Sequence, residues 1–174
     1  VAFALMLIGT GLANYAVLIG EATVMFTSYV PLKAHPFFYL GLILFAVGAL
    51  IGCFIFLGTL IIAKEEKTYE GSLNLVTFGG LIACIIAIFT IATGAVILIP
   101  TLAWSLDLIG DIDAELYRLI WWGFGHSSQQ INVSAQIAVW YAIGALLFGA
   151  KPLSEKVSRT AFLLYLFALQ LGSA

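Results

Sequence analysis

The chain has 174 residues, of which 63% are hydrophobic and only 9% charged, and its mean hydropathy is +1.11. Soluble globular domains carry about 25% charged residues, so this composition excludes one and marks an integral membrane protein. A net charge of −2, from seven basic and nine acidic residues, leaves no electrostatic footprint for nucleic acid.

Val1 to Gly20 is apolar apart from Thr10, Asn14 and Tyr15, and roughly 20 such residues cross a bilayer, so 1–20 is a first predicted span. Glu21 to Pro36 carries Glu21, Lys33, His35 and two prolines, with Tyr29 and the cluster Phe37, Phe38 and Tyr39 beside it. That is the composition of a water-facing loop meeting an aromatic belt. A second span is predicted over 37–63, where Gly41, Gly48, Gly52 and Gly58 permit close helix contact. A charged turn follows at 64–74, then a third span over 75–99 that Pro100 should end, then an acidic loop holding Trp104, Asp107, Asp111 and Asp113. The fourth span, 116–150, is too long for one perpendicular crossing at about 1.5 Å per residue, so it tilts or projects. A basic turn at 151–159 leads into a fifth span over 160–174.

The expected fold is therefore all-α: one membrane-embedded segment, 1–174, forming a polytopic transmembrane helix bundle. Val1 lies inside an apolar run with no Met and no charged n-region, so a piece of a longer polypeptide is expected. The turns 64–74 and 151–159 hold Lys64, Lys67, Lys151, Lys156 and Arg159, five of the seven basic residues. By the positive-inside rule they are cytoplasmic, the loops 21–36 and 100–117 face outward, and Gly125–His126 sits near the outer end of the fourth span.

The fourth span is unlike the others. Trp121 to Tyr141 reads WWGFGHSSQQINVSAQIAVWY, with His126, Ser127, Ser128, Gln129, Gln130, Asn132, Ser134 and Gln136 all inside one membrane helix. Polar groups in hydrocarbon cost free energy unless a protein group, a water or a metal satisfies them. At about 100° per residue, Gln130 lies roughly 40° around the helix from His126, Tyr141 roughly 60° and Ser134 roughly 80°. These four share a face that should look inward at a site, leaving Ile131, Ile137 and Ala138 for lipid or neighbouring helices. On this chemistry alone His126 is either a metal ligand or a hydrogen-bonded structural residue, and the polar stripe could also be the substrate path of a polytopic transporter. Cys53 and Cys84 lie far apart in apolar runs and read as core residues. The glycines are scattered through apolar helices, which suits helix packing and not phosphate binding.

Four stretches in order, GEATVMFTSYVPLKAHPFFYLG at 20–41, WWGFGH at 121–126, WY at 140–141 and SRTAFLLYLFALQLGSA at 158–174, resemble the catalytic subunit I of haem–copper oxidases, most closely the B-type or ba3-like branch. The resemblance runs over almost the whole chain and implies about helices three to seven of a subunit with twelve or more. It implies that His126 is one of three His ligands to a copper ion, CuB, facing a high-spin haem. The other two copper ligands, an adjacent His pair, would follow Ala174, and the ligands of both haems lie on other helices. His35 matches a loop His of similar enzymes and is expected to be a solvated interfacial residue. Tyr141 matches a tyrosine of the proton path that rises from the cytoplasm, with Ser134 between it and His126. Its alternative is an aromatic packing residue whose hydroxyl bonds a neighbour.

The function so implied is a respiratory terminal reductase of a prokaryotic plasma membrane. It would take electrons from cytochrome c or a quinol, reduce oxygen to water with proton uptake, and work with other oxidase subunits in the bilayer; the isolated segment is not expected to be active. Gln130 departs from the pattern. Oxygen reductases of this type carry a tyrosine one turn after the copper His, and one-step cleavage of the O–O bond takes two electrons from haem iron, one from copper and one from that tyrosine. An amide cannot supply it. Nitric oxide reduction to nitrous oxide needs two electrons, so a nitric oxide reductase of the same architecture is the alternative expectation. The motif WWGFGH also has one residue more before the GH than ba3-like enzymes have.

Overall fold

The computed structural model describes residues 1–23 and 31–171, with side chains as far as residue 168. Residues 24–30 of the expected first loop, Tyr29 included, and 172–174 of the expected fifth span lie outside the described residues. Among the described residues five helices follow in order: α1 (Ala2–Leu18), α2 (Pro36–Glu65), α3 (Leu75–Ser105), α4 (Ala114–Phe148) and α5 (Glu155–Leu171). Among the described residues there is no strand. Helices α2, α3 and α4 are long and apolar enough to cross a membrane. Helices α1 and α5 have 17 residues each, about 26 Å at ~1.5 Å per residue against a hydrocarbon core of ~30 Å.

Side chains cap the helix starts where the sequence offers an oxygen. Asn74 Oδ1 accepts the N–H of Thr77 at 2.7 Å at the head of α3. Asp113 Oδ1 accepts the N–H groups of both Glu115 and Leu116 at 2.9 Å at the head of α4. Each satisfies donors that have no partner within the helix, and the Asp113 carboxylate also places negative charge at the positive end of α4. At the other ends, Gly20 (φ 78°) and Gly149 (φ 61°) close α1 and α4 in the left-handed conformation, which costs nothing without a Cβ. The following N–H groups then reach back, Glu21 to the Ala16 carbonyl at 3.1 Å and Ala150 to that of Gly144 at 3.0 Å.

Two expected boundaries are corrected. The third helix does not end at Pro100 but runs through it to Ser105. Proline there removes one helical hydrogen bond, the one to the Val96 carbonyl, and a gap of one bond is tolerated in a membrane helix. Trp104 is consequently helical, and the acidic loop is confined to 106–113. The fifth helix starts at Glu155, not 160. Ser154 Oγ accepts the Val157 N–H at 3.3 Å, and Glu155 pairs with Arg159 one turn on, also at 3.3 Å, so the second half of the expected basic turn is the first turn of α5.

The chain divides into two compact units: Val1–Cys53 with Thr90–Gly125, and Phe54–Phe89 with His126–Ala174. In the first, Ala16, Phe38, Tyr39, Ile97, Leu98, Tyr117 and Trp121 form the core. Lys33 pairs with Asp107, which brings the segment before α2 and the loop after α3 to the same end of that unit. In the second, Leu75, Ile82 and Ile86 of α3 pack with Phe162 of α5, joined by Ile131, Ile137 and Tyr141 of α4. Arg159 donates to the Leu73 carbonyl and, at 3.3 Å, to Ser72 Oγ, so the α2–α3 turn and the head of α5 adjoin.

Within the first unit α1 and α2 meet backbone to backbone. A Cβ built on Gly41 would stand 2.5 Å from the Gly9 carbonyl oxygen and 2.7 Å from the Ala13 nitrogen; one on Gly9 would stand 2.5 Å from the Gly41 oxygen. In lipid, where apolar burial drives nothing, such close van der Waals contact is a main source of helix association. Gly41→Val should therefore destabilise the subunit by about 1–3 kcal/mol, the usual cost of overpacking. A lower unfolding midpoint in detergent would show it, and an unchanged midpoint would refute the contact.

Candidate functional site

The polar stretch of α4 is placed by glycines on α3 and α4 that let the two helices approach. In the first unit, a Cβ on Gly94 would stand 2.7 Å from Phe124 Cδ2, and one on Gly123 2.9 Å from Thr93 Cγ2. Tyr117 and Trp121, one turn apart, stack at 6.1 Å with an interplanar angle of 6° and stiffen the aromatic start of the helix. In the second unit, Gly79 of α3 faces Ala138 and Phe162, with space for neither to accept a Cβ.

Of the four residues expected on one face, His126, Gln130 and Tyr141 are half-buried and Ser134 is fully buried. Their partners differ. The Ser134 hydroxyl donates to the Gly79 carbonyl at 3.2 Å, which ties α4 to α3 and leaves the oxygen able to accept a further hydrogen bond. Gln130 Oε1 accepts the hydroxyl of Tyr165 on α5, and its backbone carbonyl lies 3.5 Å from the same hydroxyl. The Tyr141 hydroxyl donates to Ser158 Oγ of α5 at 2.9 Å. Tyr141, Ser158 and Tyr165, with Ile137, Ala161 and Phe162, line a cavity of about 230 Å³. Gln129, Asn132 and Gln136 are exposed, on a face that needs water or further protein in a membrane.

His35, expected to be solvated, is instead half-buried and part of the start of α2: its Nδ1 accepts the Phe37 N–H at 3.2 Å, and its ring meets Phe37 and Tyr15 edge-on at 4.9 and 6.4 Å. Tyr165 and Ser158 are the residues that sequence reasoning passed over. Their signal was present: seven residues apart on a helix, they lie within roughly 20° of each other, so two hydroxyls share one face of an apolar segment.

Among the described residues no three His, Cys, Asp or Glu side chains gather as a metal cluster. What this chain offers a copper ion is one imidazole, His126, a ligand type that suits copper, so the donor chemistry fits one position of a site completed from elsewhere.

The family model for Cytochrome C and Quinol oxidase polypeptide I matches residues 1–174. The chain is 30% identical over 162 residues to cytochrome c oxidase subunit 1 of Thermus thermophilus, covering 91% of this chain and 28% of that protein. It is also similar to a chain of a heme-copper terminal oxidase dimer solved by cryo-EM, with a TM-score of 0.86 and 32% identity over 95% of this chain and 29% of that one. The chain thus spans less than a third of the length of these relatives.

Proposed function

The chain belongs to the family of cytochrome c and quinol oxidase polypeptide I, and from that premise we propose that it forms part of the catalytic subunit of a respiratory haem–copper terminal oxidase. The subunit takes electrons from cytochrome c or a quinol in a prokaryotic plasma membrane and reduces oxygen to water, with proton uptake from the cytoplasm. The family sets the transporter alternative aside. The observation that carries the reading is His126 on an apolar helix, with Gln130 one turn on and Tyr141 about four turns on, both bonded to hydroxyl groups of α5.

In that role His126 would give one imidazole nitrogen to copper. Copper and the two haems, held largely by residues beyond this chain, supply the electron-transfer chemistry when bound. The chain's own work is positional and protonic. Tyr141 and Ser158 hold a transferable proton between them, and both line a mainly apolar cavity with Tyr165. The turns after α2 and α4 are assigned to the cytoplasmic side on their Lys and Arg content.

A second reading, nitric oxide reduction, is favoured by one residue: Gln130 cannot give the fourth electron that one-step oxygen cleavage requires. Turnover of the purified complete enzyme with each gas separates the two. Rapid oxygen reduction to water with no nitrous oxide is the expected result; efficient nitrous oxide formation with poor oxygen turnover would establish the second reading in its place.

A further inference from the structure

The last turn of α4 carries consecutive apolar side chains that the described residues leave largely uncovered. Leu146, Leu147 and Phe148 are 84%, 73% and 79% exposed, and Ile143, one turn earlier, is exposed as well. At about 100° per residue these four spread over roughly 200° of the helix circumference. A helix packed on a neighbour buries a stripe little wider than about 100°. Acyl chains, being fluid, can surround the rest.

The position of this turn in the membrane agrees. The 35 residues of α4 extend about 52 Å at ~1.5 Å per residue, against about 40–45 Å for a bilayer with its headgroup layers, so the helix end reaches the interface. There the chain reverses at Gly149, whose N–H reaches the Ala145 carbonyl at 3.1 Å, and only residues 149–154 separate α4 from α5. The tight connection keeps Lys151, Leu153 and Lys156 at the same end. Leu153 is fully exposed and both lysines are exposed. Neither lysine has an ion pair among the described residues, because Glu155, the single carboxylate of 149–159, is taken by Arg159 at 3.3 Å.

We propose that the α4–α5 connection is a phospholipid-binding surface that selects anionic headgroups. Leu146, Leu147, Phe148 and Leu153 lie among the acyl chains, while Lys151 and Lys156 hold headgroup phosphates. Lysine is suited to that place, since its apolar stem runs along the chains and its ammonium reaches back to the headgroups. The apolar side chains alone would accept any lipid. The two unpaired cations supply the selection, and their charge is complementary to the anionic cytoplasmic leaflet, the side to which this turn is assigned by its Lys and Arg content. Ser158, which accepts from Tyr141, follows Lys156 by two residues, so the bilayer anchors the end of α5 that carries it. The inference goes beyond the proposed reaction and is the same whichever gas the enzyme reduces.

The test uses the complete enzyme with a bimane fluorophore on Leu153→Cys, the label on the unsubstituted enzyme being subtracted. It is reconstituted in phosphatidylcholine vesicles containing brominated phosphatidylglycerol or brominated phosphatidylcholine, and the quenching gives the relative association of the two lipids at this site. Each lysine near an anionic surface contributes about fivefold, so phosphatidylglycerol should be preferred by roughly 25-fold. The preference should fall to about fivefold in Lys151→Gln or Lys156→Gln, should vanish in the double variant, and should weaken with added salt. Quenching by brominated phosphatidylcholine should persist in the double variant, which shows that the labelled turn is still in the membrane. Equal quenching by both lipids in the wild type overturns the proposal, as does a preference that survives loss of both lysines. A label quenched by neither lipid also overturns it: access to aqueous iodide would then place the turn in water, and protection from iodide would place it under another protein segment.

Discussion

His126→Ala in the complete subunit is expected to abolish copper binding and oxygen turnover while leaving the haem absorption bands in place. The asymmetry follows from where the ligands are. The only imidazole in the polar stretch of α4 is His126, and the proposed haem ligands lie on other helices. Loss of a partner that merely orients a metal-bound His costs roughly 10- to 100-fold in affinity, so loss of the imidazole itself should cost more. The α3–α4 contacts of Ser134, Ala138 and Gly79 do not involve the imidazole. Metal analysis alongside the optical spectrum decides the matter: full copper content with normal turnover in His126→Ala would remove this residue from the site.

Tyr141→Phe should slow oxygen turnover by about a hundredfold, the lower end of what a positioned proton-transfer group contributes. The ring would stay in the core with Ile82, Ile86 and Phe162, and the bond to Ser158 Oγ would go. Only the hydroxyl is lost, so stability should change by no more than the ~0.5–1.5 kcal/mol of one hydrogen bond. In vesicles of known orientation, the variant should show slowed proton uptake from the side facing the 64–74 turn, with metal content intact. Uptake at the wild-type rate would leave Tyr141 as a packing residue. Uptake from the opposite side would reverse the assignment of the cytoplasmic face.

The helical class was legible because runs of some 20 apolar residues admit nothing else, and His126, Gln130, Ser134 and Tyr141 could be grouped because α4 is continuous and angular arithmetic then holds. The helix ends were less legible. A proline is a stop signal only if the helix cannot continue past one absent hydrogen bond, and this one continues to Ser105. The charged run 151–159 looked like a turn because its cap, Ser154, precedes residues whose charges sit on the first turn of a helix. Tyr165 was legible as a hydroxyl sharing a face with Ser158, but not in what it bonds. Its meaning depends on Gln130, 35 residues earlier in the chain, and no local pattern carries a hydrogen bond between two helices. Ser134 teaches the same lesson in reverse, since its partner is a main-chain carbonyl that no side-chain pattern records.

The backbone contact of Gly9 with Gly41 has a consequence for how natural variation in this segment should be interpreted. Neither position can hold even a methyl group without displacing main chain, so both should be as intolerant of replacement in a saturation screen as His126. Invariance alone would then mark three residues and confuse assembly with chemistry. The two kinds of intolerance part company in what is lost: replacements at Gly9 and Gly41 should empty the membrane of folded subunit, whereas those at His126 should leave an abundant, correctly inserted protein that lacks its metal.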